Sequence, residues 1–227
     1  NPLFCNPDSS NYTLAENSPC VGTGENGANM GAYGIGCGYI YIPQTINVPT
    51  DYPTIQLGLN NASNGDTVLV QNGTYNEHII WPNNNVNLIS QNGSETTIIQ
   101  TSGNYNGVTF NEVNNVDTSS IFQGFTITNA TYYGIEVVRA SPKFIDLIVV
   151  NNEKEGIKIN SDNCCPVVLE DIYVAENGSS DSQIAGGIHL TGGHTFLKMH
   201  NITIYNHSGT DANKTLLLIA NAGLGGA

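Results

Sequence analysis

Three segments of the chain begin alike: Gly134-Ile-Glu-Val, Gly156-Ile-Lys-Ile and Gly187-Ile-His-Leu. A second apolar strand also recurs, as Phe125-Thr-Ile-Thr-Asn129, Leu147-Ile-Val-Val-Asn151, Ile172-Tyr-Val-Ala-Glu176 and Ile202-Thr-Ile-Tyr-Asn206, at offsets of 22, 25 and 30 residues. A repeat of this length made only of short strands and turns cannot close a core by itself. Stacking consecutive copies at the ~4.8 Å spacing of neighbouring strands buries one. No helix-period segment separates the strands, which excludes βαβ units, and a hairpin-built sandwich has turn signals every ~8–12 residues without this register. The pattern predicts an all-β parallel solenoid.

Asparagine supports many corners: it makes up 32 of 227 residues, and it tolerates left-handed backbone while bonding its own main chain. Nine asparagines stand in Asn-x-Ser/Thr, among them Asn11, Asn92, Asn129, Asn201, Asn206 and Asn213. The formal charge is −13, with a single Arg, Arg139. There is no basic patch for phosphate, so no nucleic-acid partner is expected. The longest strongly apolar run, Leu216 to Ala220, is far below the ~20 residues of a membrane span. The chain opens on Asn1 without a basic-then-apolar leader, the pattern of a mature protein or an excerpt.

Residues 1–42 differ from the rest. They hold Cys5, Cys20 and Cys37 and a Gly/Ala/Tyr-rich stretch, and Pro43 and Pro49 punctuate the join to 43–227. Residues 54–63 form the one helical candidate, with Thr54 as N-cap, Ile55 and Leu59 four apart, and Asn64-Gly65 as the stop. Gly58 weakens that helix. From residue 66 strand follows strand, beginning with Thr67–Val70, Val86–Ser90 and Thr97–Gln100.

Residues 46–100, through Ile46-Asn-Val-Pro-Thr-Asp-Tyr-Pro-Thr-Ile-Gln, Asn64-Gly-Asp-Thr-Val-Leu-Val and Gly73-Thr-Tyr-Asn-Glu, resemble the opening of pectin-lyase-like right-handed parallel β-helix proteins. The resemblance implies an N-terminal capping helix followed by the first coils. Residues 1–37, through Asn1-Pro-Leu-Phe-Cys and Tyr12-Thr-Leu-Ala-Glu-Asn-Ser-Pro-Cys, resemble the closing segment of secreted bacterial β-helix proteins. The fold hosts lyases, hydrolases, esterases and inert fibres alike, so it does not fix an activity. The closing motif here precedes the opening one. Either the chain is a piece of a tandem β-helix protein, or residues 1–37 close the open end of another copy. The expected function is therefore a non-enzymatic extracellular or cell-surface protein, structural or adhesive, assembling head-to-tail into a filament through residues 1–37. The alternative is a polysaccharide lyase or carbohydrate-binding domain, with a cell-surface polysaccharide as partner.

The motifs of pectin-active relatives, Asp-Asp pairs, Gly-His-Gly and Arg-x-Lys, do not occur. A weaker constellation does: the three Gly-Ile-x-apolar strands put Glu136, Lys158 and His189 in one outward column, with Arg139 a little beyond Glu136. A Lys or His base beside a carboxylate-neutralising Arg is how a β-eliminating lyase would work. The plainer reading is a solvated cross-strand ladder with Glu136 attracting Lys158. Four histidines lie between 189 and 207 without metal-ligand spacing, so no metal or cofactor is expected. A carbohydrate-binding surface would instead use the outward Tyr132 and Tyr133. Cys5 and Cys20 flank a turn-rich loop, which favours a local disulfide in an oxidising compartment; Cys37, Cys164 and Cys165 are left open. Asn129, Asn151 and Asn206 end equivalent strands and are expected to stack inward as an amide ladder. Asn11, Asn92, Asn201 and Asn213 are then the expected glycan acceptors.

Overall fold

A computed structural model describes residues 1–31, 33–111, 115–160, 166–178, 186–191, 197–205 and 217–219. The chain divides into two compact units, Asn1–Ile42 and Pro43–Ala227.

The first unit is a three-stranded sheet, β1 (Phe4–Asn6), β2 (Asn11–Ala15) and β3 (Ile35–Cys37), in that order. β2 runs antiparallel to β1 and parallel to β3. The turn between β1 and β2 is held by Asn6, whose side chain accepts from the Ser9 N–H. Cys5 is bonded to Cys37, not to Cys20. The turn-rich loop argued for the nearer partner. In the folded unit Cys20 lies in turns after β2, whereas β3 returns alongside β2 and brings Cys37 to a Cα separation of 5.9 Å from Cys5.

The second unit opens with β4 (Thr45–Val48) and α1 (Ile55–Asn60). Thr54 caps α1 by accepting from the Leu57 N–H, and Ile55 and Leu59 are fully buried. The Glu77 carboxylate takes the next two orphan donors, accepting from Ile55 N–H at 2.9 Å and Gln56 N–H at 3.0 Å. Gly58 is a close-packing position: a Cβ there would sit 3.0 Å from Val68 and 3.1 Å from Val48. The motif residue Asp66, nearly buried, accepts from the N–H groups of Gln44 and Ser63 and so ties two loops together.

Thereafter the chain lays down β5 (Thr67–Val70), β6 (Gly73–Tyr75), β7 (Ile79–Ile80), β8 (Asn87–Ser90), β9 (Thr97–Gln100), β10 (Val108–Asn111), β11 (Ile121–Thr128), β12 (Ile135–Val138), β13 (Lys143–Val150), β14 (Ile157–Asn160), β15 (Val167–Ala175), β16 (Ile188–Thr191), β17 (Leu197–Tyr205) and β18 (Leu217–Ile219). Two sheets result, β7-β10-β12-β14-β16-β18 and β4-β5-β8-β11-β13-β15-β17, with β6 and β9 pairing onto the second. The described pairings between these strands are parallel. Each return of the chain thus adds one strand to each sheet, an arrangement compatible with a β-helix-like coil. The long strands β11, β13, β15 and β17 carry positive φ at Gly124, Asp146, Asp171 and Asn201. β11 shows the effect: its first half pairs with β8 and its second half with β9.

Register builds the core. Val68, Leu88, Phe122, Phe144 and Leu169 stack on successive strands, as do Ile79, Val108, Ile135, Ile157 and Ile188. All ten are fully buried, each worth about 1.5–3 kcal/mol of transfer free energy. Trp81 stacks on Phe110 with ring centroids 4.5 Å apart.

The amide ladder exists, but one residue later than expected. Asn129 and Asn151 are exposed and adopt left-handed backbone, with φ of 63° and 55°. The next residue turns inward: Asn152 and Asn177 are buried. Asn152 Oδ1 accepts from Ala130 N–H, and Asn177 Oδ1 accepts from both Asn152 N–H and Asn152 Nδ2. A corner residue with positive φ interrupts strand alternation, so the inward phase restarts after it. The repeat glycines belong to this packing: a Cβ on Gly134 would lie 2.8 Å from Asn152 Nδ2, and one on Gly156 the same distance from Asn177 Nδ2. Cys164, Cys165, Asn206, Asn213 and nearly all residues after Tyr205 lie outside the described residues.

Candidate functional site

Three columns run across the outward side of the sheet containing β10, β12, β14 and β16. The repeat Gly-Ile-x-apolar sets them: one column lies two residues after each glycine, one immediately before it, one two residues before it. The first holds Thr109, Glu136, Lys158 and His189 in strict register. The second holds Asn106, Tyr133, Glu155 and Gly186, whose backbones follow one another across the coils.

These two columns are laced diagonally, each side chain reaching one coil onward. Asn106 Nδ2 donates to Glu136 Oε2 at 2.8 Å, Lys158 Nζ donates to the Tyr133 hydroxyl at 2.9 Å, and His189 Nδ1 meets Glu155 Oε1 at 2.8 Å. The Glu136–Lys158 ion pair along the first column is longer, 3.6 Å. Burial acts against the Lys158 ammonium. The Tyr133 hydrogen bond, with the charges of Tyr133, Glu136 and Glu155, outweighs it and holds the amine above the usual lysine range. A general base at neutral pH needs the opposite shift, so Lys158 acts here as a fixed cation. Arg139 occupies an exposed corner with φ of 51°, about 10 Å along the strand from Glu136, and is not gathered into this lacing. Glu155 is buried, and its Oε2 has no partner.

The third column is the one presented to solvent. Tyr105, Tyr132 and Lys154 follow one another, Tyr132 N–H donating to Tyr105 C=O and Lys154 N–H to Tyr132 C=O. His78 stacks flat on the Tyr105 ring, centroids 4.0 Å apart at an interplanar angle of 4°. Lys154 Nζ sits 4.5 Å from the Tyr132 ring centroid and 5.5 Å from that of Tyr133. Tyr105 and Tyr132 are 49% and 38% exposed, which leaves ring surface for a ligand. His78-Tyr105-Tyr132-Lys154 is thus an aromatic strip crossing four coils. The sequence pointed to Tyr132 and Tyr133, but Tyr133 is absorbed in the lacing. Tyr105 and Glu155 escaped notice, although their fixed offset from the repeat glycines was the available signal.

A groove of about 570 Å³ lies on the other sheet, lined by Ser94, Glu95, Asp146, Leu147, Asp171 and Tyr173 among others. Its two aspartates are engaged, Asp146 accepting from Ser94 N–H and Oγ and Asp171 from Asn201 Nδ2, while Glu95 is exposed at the rim. The Tyr205 hydrogen bond pushes the Tyr173 phenol up to about 12. Among the described residues no three His, Cys, Asp or Glu side chains are grouped to hold a metal, and no helix is long and apolar enough to cross a membrane. Of the expected glycan acceptors, Asn11, Asn92 and Asn201 are exposed, whereas the sequon at Asn177 is buried. No protein-family profile, curated protein or solved structure matches the chain.

Proposed function

We propose that the protein is a non-enzymatic, extracellular right-handed parallel β-helix of the pectin-lyase-like type that adheres to saccharide through the His78-Tyr105-Tyr132-Lys154 strip. The observation that carries this reading is the split between the columns. Glu136, Lys158 and His189 are taken up in coil-to-coil contacts, while the Tyr105 and Tyr132 rings beside them keep part of their surface in solvent. Flat rings with polar edges suit sugars, whose ring faces are apolar and whose rims carry hydroxyls. The Cys5–Cys37 disulfide supports an oxidising, extracellular setting. The test is a glycan array followed by titration of the best binder: Tyr132→Ala should weaken binding by about tenfold, equivalent to ~1.4 kcal/mol. An array without hits, or affinity unchanged in Tyr132→Ala, would refute the reading.

Head-to-tail assembly through residues 1–37 is favoured by a separate observation. This segment carries exposed apolar side chains at Tyr12, Met30, Tyr33 and Ile35, and Tyr39 just beyond it is 80% exposed. Such a concentration supports an interaction surface, and a heterologous contact through it would propagate as a filament. Sedimentation at rising concentration should show growing oligomers that Tyr33→Ser with Ile35→Ser abolishes. A concentration-independent monomer would exclude assembly.

A further inference from the structure

We infer that the strip selects neutral saccharides over uronate-bearing ones; this rests on the adhesive reading above and concerns the ligand class of the same site. Charge decides it. Around the strip stand two ammonium groups, Lys154 and Lys158, and three carboxylates, Glu136, Glu153 and Glu155. Lys158 is committed to Tyr133 and Glu136. Lys154 lies over the Tyr132 ring with Glu153 and Glu155 as its chain neighbours. The strip therefore offers an acidic sugar no net positive field, and the chain as a whole carries −13. A polyanion approaching it meets repulsion at long range. At contact the one ammonium of the two not paired to a carboxylate is Lys154, and Lys154 and Lys158 together are outnumbered by Glu136, Glu153 and Glu155. The same field disfavours nucleic-acid bases, which also stack on aromatic rings but arrive with phosphates. A neutral sugar loses nothing to that field and keeps the stacking surface of Tyr105 and Tyr132. The backbones that carry these residues follow one another at steps of ~4.8 Å, so the ligand is a chain lying across successive strands rather than a single sugar.

The experiment uses the full chain and length-matched probes: cellohexaose, mannohexaose and N-acetylchitohexaose against hexagalacturonate and hexamannuronate, titrated by calorimetry at low and high salt. At least one neutral hexasaccharide should bind about tenfold or more tightly than either uronate, with affinity changing less than about twofold between ~0.05 and ~0.5 M salt. Its monosaccharide should bind at least about tenfold more weakly. A uronate that binds as well as or better than the neutral probes, with affinity falling as salt rises, overturns the inference while leaving saccharide adhesion intact. Neutral-selective binding that Tyr132→Ala does not weaken overturns the placement on the strip. Failure of all five probes, or capture of a proline-rich peptide instead, overturns both.

Discussion

In residues 43–227 the side chains hidden from solvent arrive in register, ring over ring and Ile over Ile, so each coil supplies the floor for the next. Among the described residues of 1–42 the buried ones are Leu3, Leu14, Ala15 and Ser18, and the Cys5–Cys37 bond closes a 32-residue separation. One region is held by a repeated core that lengthens with every turn. The other is too small to bury a comparable core and relies on a cross-link and turn hydrogen bonds. The contrast extends to the surface. Among the described residues the large region faces outward with coil-to-coil hydrogen bonds and an aromatic strip, and bares a few apolar side chains such as Leu57, Ile80 and Met199. The small one bares Tyr12, Met30, Tyr33, Ile35, Tyr39, Tyr41 and Ile42 within 42 residues. Under the proposed function, adhesion falls to the first and assembly to the second.

The contrast breaks most visibly by attacking each anchor in turn. Phe122→Ala removes a ring packed against Trp81, Phe125 and Phe144 and should cost about 3–5 kcal/mol. Urea denaturation followed by the fluorescence of Trp81, the sole tryptophan, reads this directly. Cys37→Ser should destabilise residues 1–42 by about 3–4 kcal/mol from loop-closure entropy, seen as faster amide exchange there, with the Trp81 midpoint unchanged. A parallel fall in that midpoint would show that the two regions share one anchor.

A smaller effect tests the ladder. Asn177→Ala strips Asn152 of an acceptor for both its backbone N–H and its amide and should cost about 2–3 kcal/mol. Asn151→Gly keeps the left-handed corner without the exposed side chain and should cost under about 0.5 kcal/mol. Equal losses would return the ladder to the position the sequence indicated.

That one-residue displacement shows where sequence reasoning stopped. The glycines of Gly134-Ile, Gly156-Ile and Gly187-Ile announced stacked parallel strands, and the Ile135, Ile157 and Ile188 register follows them. The register of Glu136, Lys158 and His189 was legible for the same reason, although His189 is buried rather than outward. The corners were not, because alternation cannot be carried through a residue of positive φ, and nothing in Asn151-Asn152 says which of the two turns. The diagonal lacing was also hidden: it joins residues 25 to 34 apart whose pairing depends on the stacking offset between coils. The disulfide was missed because nearness in sequence stood in for strand order.

The smallest predicted effect is a titration. Hydrogen bonds from the Ser119 hydroxyl and backbone N–H hold the Asp117 carboxyl below its ordinary 3.8. A folded-state value below the unfolded one stabilises the fold above the unfolded value, and that contribution is lost as pH falls through the folded value. Carboxyl-carbon NMR should place the Asp117 midpoint below 3.8, and Ser119→Ala should move it up; no movement would remove the assigned cause.

The division of labour itself is tested most directly by amide hydrogen exchange with and without the best-binding neutral hexasaccharide. The account predicts added protection around Tyr105, Tyr132 and Lys154, with residues 1–42 and the Asn92–Thr96 and Asp146–Ile148 walls of the groove unchanged. Protection appearing in the groove or in residues 1–42, with the strip unaffected, would contradict it.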